Sequence, residues 1–205
     1  MSTEGGSGDG LAHKTWSGTF LTDRDRDFLL SLVPDPAEAG SHAQRVQRLR
    51  DRAILTLFCF AGLRRNELRL LDRADIQFGR QRVHIRFGKG GKQRYVPLNP
   101  VVIDALRAYL VERHDPDSAL FLSNRRQRLS NRTLCHILHR YLPGLDTGDD
   151  RITLHALRRT FATVLYQRTR NPVLVQRLLG HANLQTTMLY IGLVDDELRE
   201  AVNLL

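Results

Sequence analysis

Cysteines and long apolar runs are scarce in this 205-residue chain. It contains two cysteines, too few for a disulfide-stapled scaffold. The longest apolar run, residues 53–63, is about half of the roughly 20 residues that a helical membrane span needs. Glycine and proline follow no regular repeat, which argues against a collagen-like chain. The first ten residues have neither the basic nor the apolar segment of a secretory signal, so we expect none there.

Acidic residues are fewer than basic ones, with 22 Asp and Glu against 31 Lys and Arg, which gives a net charge of +9. This excess favours a polyanionic partner, either nucleic acid or an acidic membrane surface. A solvated basic surface would have the same composition. Arginine predominates, and its guanidinium group forms bidentate bonds to phosphate oxygens. With 41% hydrophobic and 26% charged residues, the composition is that of a soluble globular protein of one or two domains.

The two cysteines, Cys59 and Cys135, both lie among apolar residues at helical spacing. We interpret them as reduced core residues of a protein in a reducing compartment. Cys135 together with His136 and His139 would suggest zinc, but a fourth ligand at suitable spacing is missing. We therefore predict no metal site, and we place these histidines on a groove-facing or solvated edge of their helix.

The apolar periodicity predicts a mainly α-helical chain with a small antiparallel β-sheet, an α+β fold. Residues 1–18 are rich in glycine and serine, and we expect a flexible tail there. Asn99, Ser130 and Thr153 are favourable N-caps, and Gly180 is a favourable helix end. The predicted helices cover roughly residues 22–33, 43–61, 67–71, 100–110, 130–142, 153–168, 172–180, 184–192 and 195–204, with a candidate strand at 119–122.

The pattern changes its period between residues 82 and 97. Val83, Ile85 and Phe87 alternate with polar residues, as expected for a half-buried strand. Glycines then flank Lys89 in a predicted turn, and a second short strand follows. These residues are predicted to form a β-hairpin with Lys89 at its tip.

Two segments in the first half of the chain carry polar groups that packing alone does not require. In the sequence AGLRRNEL, Arg64 and Glu67 are i, i+3 neighbours on one helix face, which taken alone indicates a surface ion pair. In the sequence GKGGK, glycines beside Lys89 allow a backbone to approach a phosphate closely. This is not a P-loop, because a strand and not a helix follows, and a solvated basic hairpin is an equally good interpretation.

Two further segments lie in the second half of the chain. In the sequence LHALRRTF, His155 and Arg158 are close to a helix N-terminus, which favours anions. In the sequence LGHANLQTTMLY, His181 follows a helix-ending glycine and Tyr190 lies nine residues later. Each segment has an ordinary alternative: exposed side chains on an amphipathic helix, and a helix-capping histidine with a core tyrosine.

Taken together and in this order, the four segments resemble the motifs of the tyrosine recombinases, also called the phage integrase family. The family's motifs GLRxxEL, GKGxK, HxLRxxFA and LGHxxxxTTxxY all have counterparts here. The resemblance covers roughly residues 20–205 and is specific, because the motifs are spread along the chain. Arg159 stands where members often have a second histidine. The matched residues are Arg64, Lys89, His155, Arg158, His181 and Tyr190.

The resemblance implies that Tyr190 attacks a DNA phosphodiester, forming a 3′-phosphotyrosyl link and releasing a 5′-hydroxyl group. A second 5′-hydroxyl would reverse the step, so that neither ATP nor a metal ion nor another cofactor is expected. Arg64 and Arg158 would clamp the developing negative charge. Lys89 would protonate the leaving oxygen, and His155 would accept the tyrosine proton.

Two more residues would support this chemistry. His181 would add a hydrogen bond to the phosphate, and Glu67 would orient Arg64 from behind. A phenol with a pKa near 10 is only about one part in a thousand ionised at pH 7, so Tyr190 needs such help. The sequence contains no acidic cluster of the kind that binds Mg²⁺, in agreement with metal-independent chemistry.

The resemblance also implies how the chain is organised. We expect one catalytic domain over residues 19–205 and no separate N-terminal DNA-clamping domain, in either a compact family member or an excised catalytic fragment. The segment 195–205 would form a tail helix whose apolar face, Leu198, Val202 and Leu205, docks onto a neighbouring protomer. The expected partners are double-stranded DNA and further copies of the chain in a tetramer, without a membrane, in the cytoplasm at the nucleoid.

Two alternatives remain at this point. A type IB topoisomerase or telomere resolvase would share the chemistry, although the apolar closing helix favours a recombinase. A DNA-binding regulator could keep the fold without the activity, but such a protein has no need of the complete residue set.

Overall fold

A computed structural model of the protein describes residues 21, 23–142, 152–181 and 183–191, with the backbone only for Asp23, Lys89 and residues 188–191. The described residues form a mainly helical fold with a small antiparallel sheet, which confirms the predicted fold class. The α-helices are α1 (Asp23–Ser31), α2 (His42–Ala61), α3 (Arg65–Arg69), α4 (Pro100–Val111), α5 (Asn131–Tyr141), α6 (Leu154–Thr169), α7 (Pro172–Leu179) and α8 (Leu184–Ile191). The strands are β1 (Ile76–Gln77), β2 (Arg82–Ile85) and β3 (Arg94–Pro97).

Helix α2 forms the centre of the core. Ala53, Ile54, Leu55, Leu57 and Phe58 are fully buried, so the second half of this helix contacts protein on every side. It packs against α1, α4 and α6. Because its C-terminal end is held so firmly, the segment that follows it starts from a rigid base.

The predicted N-caps are confirmed. The side chains of Asn99, Ser130 and Thr153 each accept a hydrogen bond from a backbone N–H in the first turn of α4, α5 and α6, respectively. The cap at Thr153 matters most for function, because it fixes the beginning of α6 two residues before His155.

Helices α6, α7 and α8 pack against one another at the other end of the described chain. Ala162, Tyr166, Val175 and Leu179 form a small apolar cluster between α6 and α7. This packing brings the junction between α7 and α8 close to the start of α6.

The sheet has the antiparallel order β1-β2-β3. Val83 pairs with Val96 and Ile85 pairs with Arg94, so these four residues share the inward face. His84 pairs with Tyr95 on the outward face, where the two rings stack with centroids 4.6 Å apart. The hairpin is confirmed, while β1 is too short for its periodicity to be recognised in the sequence.

Strand β2 ends two residues before the predicted end. Phe87 was expected to point inward but is 56% exposed. Arg86 turns back towards the protein instead and pairs with Asp72 and Asp75 at 2.6 and 2.8 Å. These ion pairs draw the chain out of the strand conformation, so the alternation stops at Ile85.

Other elements also differ from their predicted bounds, and α1 and α3 each end two residues earlier than predicted, at Ser31 and Arg69. The run at 119–122 is buried but is not a strand, since it makes only isolated bridges from Ala119 to Asp72 and from Leu122 to Arg128. Helix α3 begins two residues earlier than predicted because Glu67 caps it, accepting the Arg64 backbone N–H at 2.8 Å.

The predictions for residues 1–18 and for the tail helix at 195–205 fall outside the described residues. Within the part of the chain that the structure describes, no helix is both long enough and apolar enough to cross a bilayer.

Candidate active site

Four segments that are distant in the sequence meet around the buried carboxylate of Glu67. They are the α2–α3 junction, strand β3, helix α6 and the junction between α7 and α8. The side chains that converge are Arg64, Glu67, Arg94, Arg158 and His181, and we call this set the Glu67 cluster.

The carboxylate of Glu67 is surrounded by three arginines. Arg64 Nη1 donates to Oε1 at 2.8 Å, and Arg94 donates to both oxygens at 2.8 and 2.9 Å. Arg158 Nη1 lies 3.8 Å from Oε2. Burial by itself raises the pKa of Glu67, but the bonds and charge of Arg94 and the bonds from Arg64 outweigh burial and lower the pKa to about 2. The carboxylate is therefore ionised at pH 7, and within the described residues of this cluster three cations face one anion, a surplus of two positive charges.

Arg158 is the most deeply buried of the three arginines, with 2% of its side chain exposed. Its Nη1 donates to the carbonyl oxygen of Gly62 at 2.6 Å, and its Nη2 donates to that of Leu179 at 2.7 Å. These carbonyls lie at the C-terminal ends of α2 and α7, where helix dipoles are negative. Both carbonyl groups lack a hydrogen-bond partner within their own helix, and the buried guanidinium of Arg158 needs acceptors. The two bonds therefore reduce the free-energy cost of burying Arg158.

Glycine is required at position 62 for this contact. Its φ is +59°, in the left-handed region. A Cβ atom there would also lie 2.3 Å from Cδ1 of Phe161 on α6. The missing side chain lets α2 and α6 approach closely enough for the Gly62 carbonyl to reach Arg158.

Arg64 presents more of its surface, with 27% of its side chain exposed. Its Nη2 also reaches the carbonyl oxygen of Gly180 at 3.3 Å, which ties the α2–α3 junction to the α7–α8 junction. Arg64 and Arg158 both line a cleft of about 480 Å³ that lies between the α2–α3 junction, α5 and α6. Other residues of the cleft wall are Leu63, Asn66, Cys135, His139 and His155.

His181 is buried beside Arg158 and connects it to α8. Its Nε2 lies 3.2 Å from Arg158 Nη2, and its Nδ1 lies 2.9 Å from the hydroxyl group of Thr187. Since a guanidinium can only donate, Nε2 is the acceptor and the neutral ring donates from Nδ1 to Thr187. Burial, followed by the charges of Arg158, Arg64 and Arg94, lowers the pKa of His181 to about 4. The neutral ring thus orients Arg158, whereas the hydrogen bond to a phosphate expected from the sequence requires the Nε2–H tautomer.

His155 lies in the first turn of α6 and forms part of the cleft wall. Its side chain is exposed, yet partial burial and then the charges of Arg159, Arg158 and Arg64 lower its pKa below the usual value. A lower pKa keeps the imidazole neutral at pH 7, the form that can accept a proton.

For Lys89 and Tyr190, the structure describes the backbone positions. Lys89 lies in the turn that joins β2 and β3. Tyr190 lies on α8 at a position one helical turn after Thr187, on the same face of that helix. The bond between Thr187 and His181 therefore anchors this face of α8 to the Glu67 cluster.

Arg94 is absent from the residues that the motifs predict. Its position in β3 carried a usable signal, because Val96 faces inward and a period of two places Arg94 on the same face. An arginine on a buried face needs an anionic or carbonyl partner. Glu67 was the available carboxylate, but only the fold shows that it lies opposite β3.

The two cysteines have different surroundings. Cys59 is buried in the core, and burial raises the pKa of its thiol to about 12, which makes it unreactive. Cys135 is only half-buried and lines the cleft, where its Sγ accepts a contact from Arg65 Nη1 at 3.7 Å. Cys135, predicted as a core residue, packs against the core from its edge and also faces the cleft.

The neighbouring histidines of α5 are exposed. His139 lines the cleft, and His136 is bonded to Arg132 at 3.4 Å on the solvent side. Among the described residues, no three His, Cys, Asp or Glu side chains are grouped so as to hold a metal ion.

Comparison with known proteins extends over most of the chain. The family model of the phage integrase family matches residues 36–197. The tyrosine recombinase XerA of Thermococcus kodakarensis is 38% identical over 184 residues, which cover 88% of this chain and 60% of XerA. The tyrosine recombinase XerC of Caldanaerobacter subterraneus is 38% identical over 159 residues, covering 75% of this chain and 44% of XerC. The chain thus spans 60% or less of the length of these two relatives.

Solved structures give a similar result. The crystal structure of XerA recombinase has a TM-score of 0.73 and 26% identity, covering 90% of this chain and 64% of that one. The pre-cleavage complex of XerH site-specific recombinase bound to its difH substrate has a TM-score of 0.74 and 28% identity, covering 90% of this chain and 53% of that one. The matches in sequence and in structure agree on one family.

Proposed function

The chain belongs to the phage integrase family and has the fold of a tyrosine recombinase catalytic domain, and we propose that it is the catalytic part of a site-specific DNA recombinase. The observation that carries this proposal is the Glu67 cluster, a preorganised surplus of positive charge beside the helix that bears Tyr190. The topoisomerase and resolvase alternatives are not favoured, since the relatives reported above are named recombinases.

In the proposed reaction, the Tyr190 oxygen attacks the phosphorus atom of a DNA phosphodiester. A bond forms between this oxygen and phosphorus, and the bond from phosphorus to the 5′-oxygen breaks. His155 accepts the phenol proton, a role that its lowered pKa and its place on the cleft wall support. Lys89 gives a proton to the leaving 5′-oxygen. Attack by another 5′-hydroxyl on the phosphotyrosyl link reverses each step and reseals the strand.

The arginines stabilise the negative charge that the phosphate gains as the new bond forms. Arg64 is the principal contact, because it is partly exposed in the cleft while Glu67 holds its other side. Arg158 lines the same cleft with little exposed surface, and its guanidinium acts from the fixed position that the Gly62 and Leu179 carbonyl oxygens and His181 give it. Both groups are fixed before the substrate arrives, so little reorganisation is needed during the reaction.

The partners proposed for the whole assembly are double-stranded DNA and further copies of this chain in a tetramer, in the cytoplasm at the nucleoid. XerH, a structural relative, is bound to a DNA substrate, and the net charge of +9 suits the same class of partner. The catalytic domain would extend over residues 19–205, with the tail at 195–205 packing on a neighbouring copy through Leu198, Val202 and Leu205.

The proposed chemistry is tested with a library of randomised duplex oligonucleotides, each carrying a central nick. Cleavage near a nick releases a short fragment and traps the covalent adduct, which is recovered in denaturing detergent and sequenced. We expect adducts in EDTA from the full chain and none from Tyr190→Phe, which loses only the nucleophilic oxygen. Equal adduct levels from both proteins, or a strict need for added Mg²⁺, would contradict the mechanism.

The proposed assembly is tested by removing residues 194–205. We expect the truncated chain to lose cooperative occupancy of paired sites in gel-shift titrations, using duplexes with one or two copies of the site recovered from the library. Binding to a single site should remain and should weaken steeply with salt. Unchanged cooperativity after truncation would mean that this segment makes no contact between copies.

A further inference from the structure

Arg94 joins three of the segments that carry the proposed catalytic residues. Its Nη1 and Nη2 bind both oxygens of Glu67 at 2.8 and 2.9 Å, and Glu67 in turn holds Arg64. Its Nε donates to the carbonyl oxygen of Leu178, near the end of α7, at 3.0 Å. Strand β3 is thereby connected to the α2–α3 junction and to α7 through one side chain.

The absence of a side chain at Gly180 leaves room for this guanidinium, and Gly88 lies close to it as well. A Cβ atom at Gly180 would lie 3.0 Å from Cδ and 3.1 Å from Nη1 of Arg94. A Cβ atom at Gly88 would lie 3.7 Å from the same Nη1. Arg94 therefore lies between the residue that precedes His181 and the residue that precedes Lys89.

On its β2 side, the turn that carries Lys89 is attached through Arg86 to Asp72 and Asp75, which lie outside the Glu67 cluster. Its backbone is closed by the Gly88 N–H bonding to the Lys92 carbonyl oxygen at 3.1 Å and by the Gly91 N–H bonding to the Gly88 carbonyl oxygen at 3.1 Å. Both bonds lie within the turn, so they shape it without fixing its position relative to Arg64 and His181. Arg94 is the first residue of β3, two residues after Lys92, and it pairs with Ile85 of β2 at the base of the turn. Its bonds to Glu67 and to the Leu178 carbonyl oxygen therefore attach the base of the turn to these other segments.

We propose, on the basis of the function proposed above, that Arg94 is a positioning residue that holds the Lys89 turn in register with Arg64 and His181. A proton donor displaced by about 1 Å from its acceptor loses much of its catalytic effect, so the register of this turn matters. Arginine suits the position because its planar fork satisfies both Glu67 oxygens while Nε remains available for Leu178. Lysine has one ammonium group and cannot make the three contacts in this geometry.

The activity test compares Arg94→Gln, Arg94→Lys and the matched control Arg82→Gln in the full chain. Arg82 lies on the outward side of the same hairpin, where it bonds Gln77 and covers the ring of Tyr95. The substrate is a nicked duplex of a site recovered from the library, made with a normal 5′-oxygen or a 5′-sulfur leaving group. A thiolate leaves without protonation, so the sulfur substrate does not depend on where Lys89 lies.

With the oxygen substrate, we expect Arg94→Gln to form the adduct roughly 10- to 100-fold more slowly, as is usual when a supporting partner is removed. The loss should be several-fold smaller with the sulfur substrate, and Arg82→Gln should match the wild type on both. Arg94→Lys keeps a cation beside Glu67 and should fold normally. Its loss of adduct rate should nevertheless also be larger with the oxygen substrate than with the sulfur substrate. Equal losses on both substrates would overturn the proposed link to the Lys89 turn.

A second measurement does not depend on activity. Amide hydrogen exchange at residues 88–92 and 179–181 should be faster in Arg94→Gln and Arg94→Lys than in the wild type, and unchanged in Arg82→Gln. If the wild type forms no adduct, the proposed recombinase function is wrong. Amide hydrogen exchange still tests whether Arg94 holds the Lys89 turn in place. Unchanged exchange at both segments in both Arg94 variants would overturn the proposal.

Discussion

Two groups of arginines and carboxylates in this protein use the same residue types for different ends. One is the Glu67 cluster. The other, which we call the Asp72 cluster, consists of Asp72, Asp75, Arg86 and Arg128 and lies beside the sheet. Arg86 pairs with both aspartates, and Arg128 pairs with Asp72 and donates to the backbone carbonyl oxygen of Leu71 at 2.9 Å.

The two clusters differ in their balance of charge. The Asp72 cluster has two cations and two anions, so it is neutral as a whole. Burial by itself raises the pKa of Asp72, but the hydrogen bonds and charges of Arg128 and Arg86 outweigh burial and lower this pKa. The pKa of Arg86 is raised, mainly by its hydrogen bond to Asp75. Every charge is matched by a neighbour, as in a cluster that only holds loops together.

The Glu67 cluster instead has three arginines around one carboxylate and borders a cleft. Its surplus charge would be unfavourable in isolation, and carbonyl groups at helix ends offset part of it. An anion in the cleft would complete the balance. The proposed phosphate site thus has an excess of positive charge beside the cleft, whereas the Asp72 cluster has none.

The sharpest test of this comparison replaces one arginine in each cluster by lysine. Arg158→Lys should slow adduct formation by about 10³-fold, because the point charge cannot bind two carbonyl groups and His181 together. Arg86→Lys should leave the adduct rate within a few-fold of the wild type. Adduct rates on the recovered site, with melting temperatures of both variants, measure the two effects. Similar rate losses in the two variants would remove the distinction between the clusters.

A smaller effect on the rate of adduct formation is expected for a substitution of Lys89 in the β2–β3 turn. Lys89→Ala should slow adduct formation by about 10²-fold on a normal substrate, since the leaving oxygen then departs without a proton. With a 5′-thio leaving group the loss should nearly disappear. Single-turnover rates on both substrates provide the measurement. If the two losses are equal, Lys89 contributes to phosphate binding as the arginines do, and not to proton transfer.

The smallest expected effect concerns how the free energy of unfolding depends on pH through Glu67. The pKa of Glu67 is lowered to about 2 in the folded protein. Its ion pairs therefore add stability at pH values above the unfolded pKa of about 4.3, and this contribution is lost as the pH falls towards 2. Removing it is expected to cost roughly 3 kcal/mol in the free energy of unfolding above pH 5.

Urea unfolding of the wild type and Glu67→Gln between pH 2 and 6 checks this expectation. The variant should be the less stable protein near pH 6, and the difference should shrink as the pH falls. Asp72→Asn is the matched control from the neutral cluster, where the more exposed carboxylate should give a weaker trend. Parallel stability curves for wild type and Glu67→Gln would show that the ionised carboxylate is not stabilised by folding.

Local patterns were sufficient for much of the fold. The helices follow from apolar spacing, and caps such as Ser130 and Thr153 follow from side-chain chemistry within one turn of the chain. Predictions were wrong where a distant partner overrode the local pattern. Phe87 is exposed because Arg86 pairs with Asp72 and Asp75.

The sequence by itself determined the helical class, the hairpin and the motif residues, because periodicity, capping and motif spacing are properties of neighbouring residues. Only the tertiary structure decided that Arg94 joins the Glu67 cluster, that His181 accepts from Arg158, and that Cys135 lines the cleft. The physical reason is that a buried charge is stabilised by whatever donors and acceptors surround it in space. Those partners come from four segments of the chain, and only packing around α2 brings them together.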